Sequence, residues 1–138
     1  MGTHHVIPEF CQRFNELATH QPEGVASFPI QGSGQETRSF CWIGDCVEQF
    51  MFLLSKSPKG AEIYHMGTMD EHTVADVAHR LAECYGRNIK IEPGILPKGS
   101  PSRRLPDTGK LTRLGYRGPQ ISFDEGLARS AAWYRENP

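Results

Sequence analysis

The run Gln31-Gly32-Ser33-Gly34-Gln35-Glu36-Thr37-Arg38-Ser39-Phe40 does most to limit what this chain can fold into. Its glycines stand between Phe28-Pro29-Ile30, which reads as a short strand, and Thr37 to Ile43, aromatic and β-rich enough to be another. A dinucleotide-binding turn places its glycines between a strand and a helix, so that backbone amides can approach a pyrophosphate. Here the third glycine is missing and a strand-like segment follows, which excludes the Rossmann fingerprint. No Gly-Lys-Ser/Thr follows either, so a P-loop is excluded. A Tyr-x-x-x-Lys pair is also absent: Tyr64 has Thr68 four residues on, and Tyr85 has Ile89. What remains is a glycine turn, an amide and an arginine, the materials of an anion site or of a polar hairpin.

Apolar spacing supplies the other elements. Residues 6–19 place Ile7, Phe10, Cys11, Phe14, Leu17 and Ala18 on one helical face, with Pro8 suited to the first turn. The segment from His20 through Pro22 to Ser27 breaks that helix. Asp45 with Glu48 reads as a capping box, opening a helix whose buried stripe is Cys46, Val47, Phe50, Met51 and Leu54 and which Ser57-Pro58-Lys59-Gly60 ends. Glu62 to Met66 reads as a buried strand. Thr73 opens the clearest helix, with Val74, Val77, Ala78, Leu81, Ala82 and Tyr85 in phase until Gly86 stops it. Ile89 and Ile91 alternate in a strand closed by Pro93-Gly94, and residues 95–106 form a loop rich in Pro, Gly, Ser and Arg. Ser122 with Glu125 is a second capping box, ahead of a helix with Phe123, Leu127, Ala131 and Tyr134 on one face. The expected class is α+β, four to five helices with short strands, without regular βαβ alternation.

With 138 residues the chain fits one domain, and a net charge of −1 gives no basic footprint for nucleic acid. No apolar run reaches the ~20 residues of a membrane span. The opening residues lack the regions of a signal peptide, and Val6 stands where a myristoylation signal needs Ser or Thr. Cys11, Cys41, Cys46 and Cys84 form no Cys-x-x-Cys, so reduced buried thiols and a cytoplasmic location are expected. His4 and His5 are adjacent, and His20, His65, His72 and His79 fall in unrelated segments without metal-ligand spacing. Asp70-Glu71 and Asp124-Glu125 sit at helix starts, where the macrodipole favours them. No local motif supports a Cys-His nucleophile, so a small hydrolase would need side chains converging from distant segments. Arg38 after the glycine turn and Arg103-Arg104 in a proline-bounded loop stand out, because planar guanidiniums hold phosphates through paired hydrogen bonds. Two of them from distant loops could clamp a diphosphate; solvated loop arginines are the alternative.

At these residues the chain resembles a known family. The segments Val6–Phe10, Phe28–Phe50, Ile63–Thr68, Ser102–Tyr116 and Ile121–Leu127 appear in the order found in the C-terminal part of the NAD-dependent epimerase/dehydratase family. These are extended short-chain dehydrogenases acting on nucleotide sugars, among them UDP-glucuronate decarboxylases, dTDP-glucose dehydratases and UDP-glucose 4-epimerases. The Gly-Gln-x-x-Arg-x-Phe and Arg-x-Pro-Asp stretches carry most of the likeness, which runs from about Val6 to Trp133.

The resemblance implies that residues 1–138 are a small C-terminal substrate-binding domain, with no complete Rossmann domain and no catalytic, cofactor or metal residue of its own. NAD is implied for the full-length family enzyme. Pro29, Ile30 and Gln31 match the segment whose backbone lies beside the base. Gln35 matches a polar residue near the ribose or phosphates, and Arg38 the diphosphate-binding arginine. Arg104 matches a second phosphate-side arginine, with Asp107 as a ribose or loop-ordering partner. Val6 and Phe10 match the wall of the base pocket. The implied ligand is a nucleotide-diphosphate sugar, gripped without turnover. The implied partners are a Rossmann domain or a second copy of the chain, through an exposed apolar face. Alternatives are an interaction module that kept the fold and lost the ligand, and one half of a split enzyme.

Overall fold

Strict alternation along β1 (Val25–Ile30) turns Ala26, Phe28 and Ile30 into the core and leaves Val25, Ser27 and Pro29 outside. β1 pairs in parallel with β4 (Asn88–Pro93), in register from Val25↔Asn88 to Ile30↔Pro93. A parallel pair needs a long crossover, and between β1 and β4 the chain makes two helices and two strands of a second sheet. The computed structural model describes residues 5–21, 23–56 and 60–137. Residues 1–4, Pro22 and 57–59, on which several sequence expectations fall, lie outside them.

Three helices cover the β1–β4 pair. On α1 (Val6–His20), Phe10, Cys11 and Phe14 are buried as the spacing predicts. Phe14 stacks on Phe28 with ring centroids 4.7 Å apart, and Phe10 meets Phe28 edge-on at 5.1 Å. α3 (Val74–Cys84) starts where expected, with the Thr73 hydroxyl accepting the Asp76 N–H at 3.0 Å. It ends through Gly86, where the Arg87 N–H bonds Ala82 O at 2.8 Å. On α5 (Phe123–Glu136), Ser122 is the cap and Leu127 and Ala131 are buried. These helices pack on one another, and the Asn15 side chain ties α1 to α5 by donating to Tyr134 O at 2.7 Å.

The second sheet is small, in the order β3-β2-β5, with β2 (Thr37–Ser39) antiparallel to β3 (Glu71–Thr73) and parallel to β5 (Arg103–Arg104). A short α4 (Gly109–Arg113) follows β5. The five helices and short strands among the described residues match the α+β expectation.

α2 (Ile43–Lys56) departs from expectation. Most of its predicted stripe faces outward: Val47, Phe50, Met51 and Leu54 are all more than half exposed, while Cys46 is half-buried. The buried positions are polar. Asp45, expected as a cap, lies inside the helix, and its carboxylate accepts the backbone N–H groups of Gln120 at 2.8 Å and Ile121 at 3.2 Å. Gln49 pairs both ways with Gly67, donating to its carbonyl at 3.0 Å and accepting its N–H at 2.6 Å. Buried polar groups with good partners therefore orient the helix, and its apolar stripe is left over. The predicted strand at Glu62 to Met66 is irregular, and Ile63 is 81% exposed.

Phe14→Ala should lower the unfolding free energy by about 3–5 kcal/mol, because it removes a fully buried ring. Phe50→Ala, on the outward face of α2, should change it by no more than about 0.5 kcal/mol. Urea unfolding of the two variants measures both values.

Candidate functional site

The glycine turn is filled by the chain's own carboxylate. Glu36, 8% exposed, folds back so that Oε1 accepts the Ser33 N–H at 3.1 Å and the Ser33 hydroxyl at 2.9 Å. Its Oε2 accepts the Gly34 N–H at 2.9 Å. These donors, the Ser33 amide foremost, hold the Glu36 carboxyl below the usual carboxylate range. Gly32 and Gly34 have φ of 79° and 84°. A Cβ on Gly32 would lie 2.7 Å from the Glu36 carboxylate, and one on Gly34 2.8 Å from Ile30 Cδ1. The loop is also stitched to the start of α3, with Ala75 N–H on Gly34 O and Val74 N–H on Glu36 O, each at 3.0 Å. Glu36 was absent from the candidate residues, although Ser33-x-x-Glu36 has the spacing of a serine answered by a carboxylate three residues on.

This arrangement does not fit the pyrophosphate of NAD. The amides of Ser33 and Gly34 already serve a carboxylate, and the loop leads from β1 into β2 rather than into a helix.

The arginines are brought together more closely than two distant loops suggest. β2 and β5 pair with Arg38 opposite Arg104, and partners in adjacent strands share a sheet face. Arg38 is braced by donating to Thr37 O at 2.6 Å and Pro101 O at 2.9 Å. Among the described residues neither Arg38 nor Arg104 has a carboxylate partner within ion-pair distance. Arg103 behaves differently. It grips both oxygens of Glu71 at 2.8 Å, and Thr37 donates to the same carboxylate. The Arg103 guanidinium, with Thr37, brings the Glu71 carboxyl down to about 2. The register thus separates a paired arginine from an unpaired one at adjacent positions.

Arg38 stands between two hollows. One, of about 160 Å³, is lined by Val6, Phe10, Gln31 and Arg38, with Glu9 and Leu96 also facing it. The other is an open groove of about 600 Å³, with Arg38, Arg104, Tyr64, His65, Cys46 and Leu105 on its walls. The remaining candidates line neither. Pro29 is exposed, and the Ile30 side chain is in the core. Gln35 does not turn inward: it is exposed at the loop tip, its N–H on the Ser33 hydroxyl at 3.1 Å. Asp107 orders the entry to α4 by accepting the Gly109 N–H at 2.8 Å, and its own N–H meets His65 Nδ1 at 3.3 Å. Among the described residues no group of three His, Cys, Asp or Glu side chains could hold a metal ion, and no helix is long and apolar enough to cross a membrane.

No family model matches the chain. It is 31% identical over 134 residues to GDP-L-fucose synthase 1 of Arabidopsis thaliana, covering 96% of this chain and 40% of that protein. It is 31% identical over 143 aligned residues to the dTDP-D-glucose 4,6-dehydratase of Homo sapiens, covering 99% and 39%. A crystal structure of the dTDP-glucose 4,6-dehydratase of Streptomyces venezuelae, with NAD bound, superposes with a TM-score of 0.79 at 31% identity, covering 99% of this chain and 40% of that one. The relatives and solved structures that this chain matches over nearly its whole length are NAD-dependent epimerase/dehydratases, the extended short-chain dehydrogenases. It spans about two fifths of the length of the relatives it matches.

Glu36→Gln should destabilise the protein by about 1–3 kcal/mol at neutral pH by weakening three charge-assisted bonds. Because the folded carboxyl titrates below its unfolded value near 4.5, its stabilisation is complete above that value. It is lost as pH falls through the lower folded value. The gap between wild type and Glu36→Gln, measured by denaturant unfolding, should therefore be full at pH 7 and close on acidification.

Proposed function

We propose that this chain is the nucleotide-sugar-binding segment of an epimerase/dehydratase-family protein and holds the diphosphate of its ligand between Arg38 and Arg104. The observation that carries this reading is their pairing across β2 and β5. Two arginines on paired strands, neither neutralised by a carboxylate, can approach one anion together. The adjoining hollow, walled by Val6 and Phe10, suits the flat apolar face of a base, and the groove beyond Arg104 has room for a sugar. Hydride and proton transfer need a nicotinamide and a base held against the sugar. This segment contributes grip and orientation, and the redox groups belong to the rest of the family fold.

The outward stripe of α2 supports a second element of the proposal. Val47, Phe50, Met51 and Leu54 form a contiguous helical face, with the exposed Ile63 and Met66 on the segment that follows. This is the surface on which the NAD-binding part would dock, in the same polypeptide or in a separate one. Mixing the chain with the NAD-binding part of a relative should give a complex that Phe50→Asp abolishes in size-exclusion chromatography. A complex unaffected by Phe50→Asp places the contact elsewhere.

Calorimetric titration with UDP-, dTDP- and GDP-sugars tests the binding reading. Arg38→Ala and Arg104→Ala should each weaken the ligand that binds by about 10- to 100-fold, the loss of a hydrogen-bonded charge pair. Arg103→Ala should leave affinity within about threefold, since its partner is Glu71. An absence of saturable binding by wild type at millimolar ligand removes the proposal.

A further inference from the structure

The hollow beside Arg38 contains two carboxylates, and only one is committed. Glu36 is saturated by the Ser33 and Gly34 donors. Glu9, next to Phe10 on α1, lines the same hollow, and its one ion pair among the described residues is with Arg13, with Nη1 3.6 Å from Oε1. The Arg13 guanidinium itself lies over the Phe28 ring, 3.8 Å from its centroid. The Glu9 carboxylate, with its side chain 39% exposed, therefore keeps acceptor capacity at the rim of a hollow whose walls are Val6, Phe10 and Leu96.

A carboxylate presents two acceptors side by side and no donor. Among the common bases only guanine offers the complement, a ring N1–H adjacent to an exocyclic N2 amino group. Uracil and thymine present a single N3–H flanked by two carbonyl oxygens, which would face the second carboxylate oxygen as acceptor against acceptor. Adenine and cytosine place an amino group beside an unprotonated ring nitrogen, with the same conflict. Gln31 and Ser100, on the same lining, carry donors suited to guanine O6.

We infer that the nucleotide held here is a guanosine diphosphate, with Glu9 reading the N1–H and N2 amino edge of the base. This rests on the proposed diphosphate site and goes further by naming the base. Glu9 is then a specificity-determining residue on α1, while Arg38 and Arg104 hold any nucleoside diphosphate alike. A site built to accept two base N–H groups rejects a base that cannot supply them, because the carboxylate is left facing an acceptor.

The experiment is calorimetry on the unaltered chain with GDP, inosine diphosphate, UDP and dTDP, repeated on Glu9→Gln. Inosine diphosphate differs from GDP only in lacking the 2-amino group. GDP should bind tightest, and inosine diphosphate roughly tenfold more weakly, the value of one hydrogen bond to a charged group. Glu9→Gln should lower GDP affinity by about tenfold or more and shrink the difference between GDP and inosine diphosphate, leaving UDP within about twofold. Equal binding of GDP and inosine diphosphate by wild type, or tighter binding of UDP or dTDP, overturns the assignment of the base and leaves the diphosphate site standing. Binding of none of the four overturns both. The wild-type comparison decides the matter even if Glu9→Gln fails to fold.

Discussion

The Glu36 carboxylate inside the glycine turn is the contact on which the rest of the site depends. Two left-handed glycines and a serine make a concave array of donors that would attract any anion, and the chain supplies one from two residues downstream. That closure sets where β1 ends and β2 begins. The carbonyls it leaves pointing outward receive the first N–H groups of α3. One ionised side chain thus joins the loop, the second sheet and a core helix. Arg38 follows two residues later, in a position the loop has already determined.

Because the loop carries its own counter-charge, it needs no ligand to order it. The bracing of Arg38 by Thr37 O and Pro101 O works in the same direction, holding the guanidinium in place through neutral carbonyls that do not cancel its charge. Preorganisation of this kind lowers the ordering cost of binding. The contrast with Arg103 is instructive. Its pairing with Glu71 links β5 to β3 across β2, so one arginine secures the sheet while its neighbour stays available.

Local signals carried the parts of the fold that depend on local physics. The Thr73 and Ser122 caps, the stop at Gly86, the alternation of Ile89 and Ile91 and the periodic face of α3 act within a few residues and were legible as such. Periodicity also located α2, but not the direction it faces. An apolar stripe at helical spacing looks the same whether it meets this core or another surface, and here Asp45 and Gln49, bound to distant backbone groups, decide the matter. The same limit applies to Glu62 to Met66, whose apolar character presupposes a neighbour that local pattern does not name. At the candidate site, Val6, Phe10 and Arg38, which line one hollow, were singled out by the family resemblance rather than by local spacing. The Glu36 turn is closed by donors two and three residues away, a local spacing left unused; the placement of Arg38 opposite Arg104 depends on a register between segments more than sixty residues apart, which has no local trace.

That register is only two residue pairs long, and β5 lies at the edge of its sheet. A strand so short can detach without disturbing the aromatic core around Phe14 and Phe28, of which Arg103 and Arg104 are not part. The second arginine is thus mounted on a short edge strand of the kind that opens easily. Occupancy between the two arginines would act as a clasp on that edge, so that the amides of Thr37 and its neighbours exchange with solvent on a clock set by the ligand, while those of α3 keep the slower time of the whole fold.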